Sequence, residues 1–228
     1  MRKLLALSSL AIFAIFSSGC ATETEQGAGE EVDDIDEGGQ EASERTVSAY
    51  PEGPFGDSIG SIIRDYKFRG FARPQDGNFA GQMISMSDFY NPTGTEMHAA
   101  DSVYGEKPKP LAIMVIIAAG WCGPCQQEAK NVLPGEYTEF APKAEFITIM
   151  AEDAGYNEPS LTDIENWATK YKAQWPSVVD GQFKFFALAA EPAFPANILI
   201  DAKTMTIVDR VAGADPAIFT KMKNLIGE

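Results

Sequence analysis

The chain is poor in metal ligands, in basic residues and in long apolar runs, and each shortage excludes a class of function. It has three cysteines and one histidine, so a four-ligand zinc site would need all of them, and we predict no metal site. Lys and Arg number 18 against 33 Asp and Glu, for a net charge of −15. The sequence has no cluster of basic residues of the kind that indicates nucleic-acid binding. No apolar run reaches the roughly 20 residues that a transmembrane helix needs.

The N-terminal segment has the composition of a targeting signal. Two basic residues precede an apolar run over residues 4–16, and small residues lead to Cys20, which is the pattern of a secretory signal peptide. The final Ser-Gly-Cys resembles a bacterial lipoprotein signal, and this resemblance implies lipidation of Cys20. Ser17 departs from that pattern, which usually has leucine there, so ordinary cleavage that leaves a free Cys20 is the alternative. We assign residues 1–20 to a lipoprotein-type signal peptide.

The composition changes abruptly after the signal. Residues 21–44 contain ten Asp or Glu, no Lys or Arg and no aromatic residue, so they have too little apolar surface to form a core. We predict a disordered, self-repelling tether over residues 21–49, with a cation site or a basic partner as the alternative role. The folded domain is predicted over residues 50–228, and because ten of the 33 acidic residues lie in the tether, the net charge of the whole chain says little about the domain's substrate.

The most informative stretch of the domain is a strand followed by two cysteines. Residues 111–119 are nine consecutive apolar residues, which is typical of a strand buried on both faces. Gly120 ends the run, and Pro124 fits the first turn of a helix, where its missing N–H costs nothing. Good helix formers continue over residues 126–130. The prediction is strand, tight turn and helix, with both cysteines where the helix begins.

That position suits redox chemistry. Unpaired N–H groups and the helix dipole favour thiolate over thiol at a helix N-terminus. A Cys-x-x-Cys pair across one turn can close into a disulfide, so we predict a redox dithiol in which Cys122 is the nucleophile and Cys125 the resolving thiol. A permanent structural disulfide is the alternative. Glu128 lies three residues after Cys125, on the same helix face, and burial there would raise its pKa towards neutrality.

Patterning elsewhere predicts the remaining elements. Short strands precede and follow a turn at residues 76–78, and His98, in a surface loop over residues 90–110, is predicted to be solvated. Further expectations are a break at Pro134, a strand over residues 145–150, a helix capped by Ser160 or Thr162, a short strand within residues 176–180, a hairpin over residues 197–210, a helix over residues 217–226, and core positions for Trp167, Trp175, Phe185 and Phe186.

Two motifs resemble a known family. Trp-Cys-Gly-Pro-Cys at residues 121–125, after a buried strand, resembles the active site of the thioredoxin fold. Glu128 and Phe-Pro-Ala-Asn-Ile-Leu-Ile-Asp at residues 194–201 resemble the TlpA/ResA-type branch, which comprises membrane-tethered thiol-disulfide oxidoreductases outside the cytoplasm. Over residues 56–226 the resemblance implies an α/β thioredoxin-like fold, with a central mixed β-sheet flanked by helices, an N-terminal β-hairpin extension and an inserted helix and strand.

The resemblance also implies roles for residues around the cysteine pair. Pro195 matches the family's cis-proline, with Pro192 as the alternative. Thioredoxin itself has a buried acid six residues before the first cysteine, where this chain has Ile116, so Glu128 is the predicted proton acceptor for Cys125. No cofactor is implied beyond the reversible disulfide. The predicted substrate-docking residues are Trp121, Gly123, Pro124 and Phe194.

The leading hypothesis is a lipid-anchored thiol-disulfide oxidoreductase that faces the periplasm or the exterior. Gly-Pro between the cysteines resembles reducing members, which favours a reductase. Its expected partners are thiol or disulfide proteins of the cell envelope and a membrane redox donor. The alternatives are a peroxiredoxin-like peroxidase, although Ala119 stands where that family has Thr or Ser, and a redox-inactive thioredoxin-like binding module.

Overall fold

The structure is a computed structural model, and it describes residues 48–141 and 143–227. The chain divides into two units, Met1–Arg45 and Thr46–Glu228, and the described residues belong to the second. The predicted signal peptide with Cys20, and the predicted tether up to residue 47, lie outside the described residues. Of the helices in the described part, none is both long enough and apolar enough to cross a membrane.

Seven strands form one mixed β-sheet. They are β1 (Lys67–Phe71), β2 (Gln82–Ser85), β3 (Ala112–Ala119), β4 (Ala144–Glu152), β5 (Ser177–Val179), β6 (Ala196–Asp201) and β7 (Thr206–Ala212). Their order in the sheet is β2-β1-β5-β4-β3-β6-β7. Strand β4 runs parallel to its neighbours β3 and β5, whereas the β3–β6 and β6–β7 pairs are antiparallel. The predicted central mixed sheet is confirmed.

Four α-helices pack against this sheet: α1 (Gly123–Asn131), α2 (Leu133–Phe140), α3 (Leu161–Tyr171) and α4 (Ala217–Ile226). The break between α1 and α2 falls at Val132, just before Pro134, which is the break that the proline predicts. Helix α3 begins at a capping box, in which Ser160 and Asp163 each accept a hydrogen bond from the other's backbone N–H. Ser160, rather than Thr162, is therefore the cap.

Strand β3 is the centre of the core. All eight of its residues are buried, and the first six alternate between two apolar clusters, one on each face of the sheet. Ile113, Val115 and Ile117 belong to one cluster, and Ala112, Met114 and Ile116 belong to the other. Ile116, at the position of thioredoxin's acid, is thus a core residue.

The two additions to the central sheet are present as predicted. Strands β1 and β2 form an antiparallel hairpin before the core, and β1 also pairs antiparallel with β5. Helix α3 and strand β5 lie between β4 and β6 in the chain, which makes them the inserted helix and strand. The hairpin therefore joins the sheet through the insertion.

One prediction in the loop before β3 is wrong. His98 is buried rather than solvated, at 6% exposure, and its ring centroid lies 4.6 Å from that of Tyr104 and 6.2 Å from that of Phe89. Burial lowers the pKa of His98 to about 4, so the ring is neutral. Loop composition conceals this packing because it arises from contacts with the core. Trp167, Trp175 and Phe185 are buried as predicted, whereas Phe186 is only partly buried.

Two glycines allow a matched test of the hairpin's attachment. A Cβ atom at Gly70 of β1 would lie 2.3 Å from the Ser177 carbonyl oxygen, whereas one at Gly135 in α2 meets no atom within 4 Å. We expect Gly70→Ala to lower the free energy of unfolding by about 2–3 kcal/mol, because β1 must move away from β5. Gly135→Ala should raise it by about 0.5–1 kcal/mol through helix propensity.

Urea unfolding of the two variants measures both effects. Equal changes of the same sign would contradict the close approach of β1 to β5.

Candidate active site

The cysteine pair follows a turn that only glycine fits. The Gly120 N–H donates to the Glu152 carbonyl at 2.8 Å, which draws the chain against the end of β4. A Cβ atom at Gly120 would lie 2.7 Å from the Ala154 nitrogen and 2.8 Å from the Asp153 carbonyl carbon. Because both neighbours are backbone atoms, they cannot move aside as a side chain would. The turn out of β3 therefore requires Gly120.

Cys122 and Cys125 are joined by a disulfide, with an S–S distance of 2.09 Å. Cys122 is the N-cap of α1, and its sulfur accepts a hydrogen bond from the Cys125 backbone N–H at 3.1 Å. The same N–H, together with the helix dipole, would stabilise a thiolate at Cys122 after reduction. Both cysteines are buried, at 2% and 1% exposure, whereas Gly123 and Pro124 between them are exposed.

The peptide bond between Phe194 and Pro195 is cis, as the family resemblance implies. The only other cis bond in the described part of the chain precedes Pro54, so the alternative at Pro192 is not needed. Phe194 packs against the apolar cluster that contains both cysteines, and the Pro195 carbonyl accepts a hydrogen bond from the Gly213 N–H at 2.7 Å. The segment that enters β6 is thus held beside the disulfide.

Glu128 is buried in the same helix as the cysteines. It is 2% exposed, and its Oε1 accepts a hydrogen bond from Nδ2 of Asn197 at 2.7 Å. Its Oε2 is buried and has no hydrogen-bond partner among the described residues. Burial raises the pKa of Glu128 to about 7, and the hydrogen bond from Asn197 opposes that rise. The carboxyl group can therefore take up or release a proton near neutral pH.

Trp121 lies at the surface beside Cys122. It is 37% exposed, and its Nε1–H donates to Oε2 of Glu152 at 2.6 Å. Its ring stacks on Tyr156 with centroids 4.8 Å apart and meets the edge of Phe194 at 5.8 Å. The structure thus brings Trp121 and Phe194 together, and it adds Glu152 and Tyr156, which sequence analysis missed.

Comparison with known proteins identifies the architecture. No family model matches the chain, and no curated protein matches it. Solved structures do match. A solution structure from Bacteroides thetaiotaomicron, provisionally named a protein disulfide isomerase, has a TM-score of 0.50 and 18% identity, over 75% of this chain and 91% of that one. A thiol:disulfide interchange protein from Bacteroides sp. has a TM-score of 0.50 and 14% identity, over the same shares. The described chain has the thioredoxin fold.

Within this thioredoxin fold, Asn197 is the residue that sequence analysis missed beside the acid. It lies on β6 directly opposite Ile116 of β3, and opposite residues of paired strands share a face of the sheet. Its Nδ2 donates to Glu128 and, at 3.3 Å, to the Gly213 carbonyl, while its Oδ1 is buried without a partner among the described residues. A polar residue at the start of the apolar run of β6 was the available signal.

The described residues hold no group of three or more His, Cys, Asp or Glu side chains arranged to bind a metal ion.

The buried carboxyl group makes the free energy of unfolding depend on pH. The unfolded state releases the Glu128 proton near the ordinary pKa of 4.5, and the folded state keeps it until about pH 7, so stability falls as pH rises through that interval. Glu128→Gln removes this loss. We expect the Glu128 carboxyl group to contribute no pH dependence at pH 4, where it is protonated in the folded wild type. At pH 8 the free energy of unfolding of the variant should exceed that of the wild type by at most roughly 3 kcal/mol.

Urea unfolding of the oxidised proteins at pH 4, 6 and 8 measures this difference. Glu145, whose pKa burial also raises to about 7, titrates in both proteins and cancels. The exposed Glu106 supplies the control variant Glu106→Gln, which should follow the wild type. A pH dependence that is the same in all three proteins would show that Glu128 ionises at its ordinary pKa.

Proposed function

We propose that this protein is a membrane-tethered thiol-disulfide oxidoreductase that reduces disulfides of cell-envelope proteins. The observation that carries the proposal is the Cys122–Cys125 disulfide at the N-terminus of α1. It lies in one apolar cluster with Phe194, which precedes the cis-bonded Pro195. The names of the two similar structures, an interchange protein and a disulfide isomerase, agree with this class of reaction.

The exchange proceeds in two displacements at sulfur. The reduced Cys122 thiolate attacks one sulfur of the substrate disulfide, forms a mixed disulfide, and expels the other substrate sulfur, which takes a proton. The Cys125 thiolate then attacks the Cys122 sulfur, which closes the Cys122–Cys125 disulfide and releases the second substrate thiol. Two electrons and two protons pass to the substrate, and a membrane dithiol donor, itself oxidised to a disulfide, returns two electrons and two protons to the pair.

Glu128 supports the second displacement. Cys125 is buried, so its thiol needs an acceptor for its proton before it can attack. Glu128 lies one helical turn away and has a pKa near 7, which lets it accept that proton at neutral pH and pass it on. Asn197 donates a hydrogen bond to the carboxyl group, which stabilises the ionised form and holds the group in place. Asn197 therefore acts through Glu128, as a positioning residue. Ile116 leaves no acid on β3 that could replace Glu128.

The direction and the location of the reaction rest on the sequence. Gly123 and Pro124 between the cysteines resemble reducing members of the family, which supports reduction rather than oxidation of the substrate. The lipoprotein-type signal that ends at Cys20, followed by the acidic segment, supports a position at the outer side of a membrane. A peroxidase gains no support, because Ala119 is buried and offers no hydroxyl group.

The reduction potential of the cysteine pair tests the proposed reaction. In a full-length Cys20→Ser chain, Cys122 and Cys125 are the only thiols. Equilibration with glutathione and dithiothreitol buffers should give a reversible two-electron couple at about −270 mV or below, as in thioredoxin. A potential near −120 mV, as in a strong oxidant, would make the protein a disulfide donor and contradict the reductase.

A matched variant separates catalysis from a permanent disulfide. Cys125→Ser in the same background should accumulate mixed disulfides with protein substrates, because the resolving thiol is missing, whereas Cys122→Ser should not. If no reversible couple and no mixed disulfide form, the protein is a redox-inactive binding module.

The lipid anchor is tested by metabolic labelling in a bacterial host with a fatty-acid analogue. The wild-type chain should be labelled and should sediment with membranes, and Cys20→Ala should abolish both. Ser17→Leu, which restores the usual residue of the signal, should keep the label. Labelling of Cys20→Ala would show that the lipid is attached elsewhere.

A further inference from the structure

Five aromatic rings form a continuous row past the cysteine pair, which we call the aromatic row. Successive ring centroids are 4.8, 5.8, 4.9 and 5.9 Å apart. Phe194 packs against the apolar cluster that contains both cysteines, Trp121 directly precedes Cys122 in the chain, and the two ends of the row lie in loops. In order along the row, the rings are Tyr156, Trp121, Phe194, Phe186 and Phe183.

Three of the five rings of the row are exposed to solvent. Tyr156 is 68% exposed, Phe183 38% and Trp121 37%. These are three of the six large hydrophobic side chains that are exposed in the described part of the chain, and they lie in one connected series rather than scattered. Connected apolar surface of this kind marks an interaction site more often than isolated apolar residues do.

Both ends of the row have an unfavourable backbone conformation. Tyr156 has φ +63° and Phe183 has φ +53°, in the left-handed region that bulky residues rarely adopt. They are two of four described non-glycine residues with positive φ, and of the other two, Met205 is buried and Lys172 ends a helix. Exposed aromatic residues gain no core packing from this conformation.

Hydrogen bonds to an aspartate hold the loop at each end of the row in place. Oδ1 of Asp153 accepts the backbone N–H groups of Gly155 and Asn157, at 2.7 and 2.8 Å, on either side of Tyr156. The Asp180 carbonyl accepts the Phe183 N–H at 3.0 Å, and its Oδ2 accepts a backbone N–H two residues later at 2.7 Å. In each loop an aspartate three residues earlier fixes the turn that presents the ring.

The charges around the row indicate what binds there. Residues 152–158 and 181–194, which carry four of the five rings, contain four acidic side chains and one basic side chain. One of the acids, Glu152, is hydrogen-bonded to Trp121 itself. An apolar surface with an acidic border is complementary to a segment that combines aromatic and basic residues. The acids are Glu152, Asp153, Glu158 and Glu191, and the base is Lys184.

We propose that the aromatic row binds an unfolded polypeptide on both sides of its reacting cysteine, and that it selects segments in which aromatic and basic residues flank that cysteine. An unfolded segment presents these groups together, because folding buries most aromatic and cysteine side chains. The inference deepens the proposed function, since it names the substrate class of the same site, but the row can bind such a segment without any exchange of disulfides.

Peptide binding tests the row independently of the chemistry. The probe is a short fluorescein-labelled peptide with serine in place of its cysteine, phenylalanine on both sides, and two lysines, and its binding to the full-length oxidised protein is followed by fluorescence anisotropy. Tyr156→Asn and Phe183→Asn should each raise the Kd about tenfold, because each removes one aromatic contact. Peptides with glutamate for lysine, or serine for phenylalanine, should bind more weakly to the wild type.

The variants are chosen so that a loss of fold cannot imitate the result. Asparagine tolerates a left-handed conformation better than Tyr or Phe, so both variants should unfold at the same temperature as the wild type or higher. Lys172→Asn relieves the same kind of strain, at φ +55° after α3, outside the row. It should leave the Kd unchanged.

Three results would overturn the proposal. The first is a Kd that is the same for wild type and both variants, and the second is a wild type that prefers the glutamate peptide. The third is a sedimentation experiment in which the variants convert a dimer into a monomer, which would show that a second copy of the chain covers the row. If the Kd rises for Tyr156→Asn and Phe183→Asn but not for Lys172→Asn, and the cysteine pair shows no reversible redox couple, the binding surface is supported and the proposed reaction is overturned.

Discussion

The complete burial of β3 is the constraint on which the rest of the site depends. Because apolar clusters cover both faces of this strand, it is fixed in position along its whole length, and the first atoms free of the sheet are those of Gly120. The close approach of Gly120 to the backbone of residues 153–154 then fixes the turn, and the turn fixes where α1 begins. Cys122 is thus positioned by packing that extends through the entire core.

The same burial explains where the acid lies. An ionisable group on β3 would face an apolar cluster. At the position where thioredoxin has its buried acid, six residues before the first cysteine, this chain has Ile116. The carboxyl group is instead on α1, as Glu128, and its polar partner is on β6, as Asn197 directly opposite Ile116. The acid therefore belongs to the helix that carries the cysteines, and a change in its charge alters the electrostatic environment of that helix directly.

The sequence was sufficient for the features that local chemistry determines. The buried run, Gly120, Pro124 and the cysteine spacing each specify their own structure within a few residues, and the family resemblance supplied the cis bond before Pro195. Asn197, Tyr156 and His98 were missed or misassigned because their surroundings come from other elements. The hydrogen bond of Asn197 to Glu128 joins residues 69 apart in the chain, and no local pattern reports such a pair. Phe186 was predicted as core, and its ring is partly buried against the core while it also joins the aromatic row.

The site combines two arrangements that lower the stability of the folded state. Glu128 keeps a carboxyl group away from water with one oxygen unpaired among the described residues, and Tyr156 and Phe183 hold exposed rings on unfavourable backbone. Departures of this kind are expected where a protein meets its substrate, because elsewhere a more stable residue would serve equally well. The two arrangements also divide the work by depth: proton transfer needs a buried group whose pKa can rise, and recognition of a polypeptide needs apolar surface in solvent. In the proposed reaction the two arrangements serve different cysteines of one disulfide, since Glu128 accepts the proton of Cys125 and the aromatic row lies beside the substrate that is attacked by Cys122.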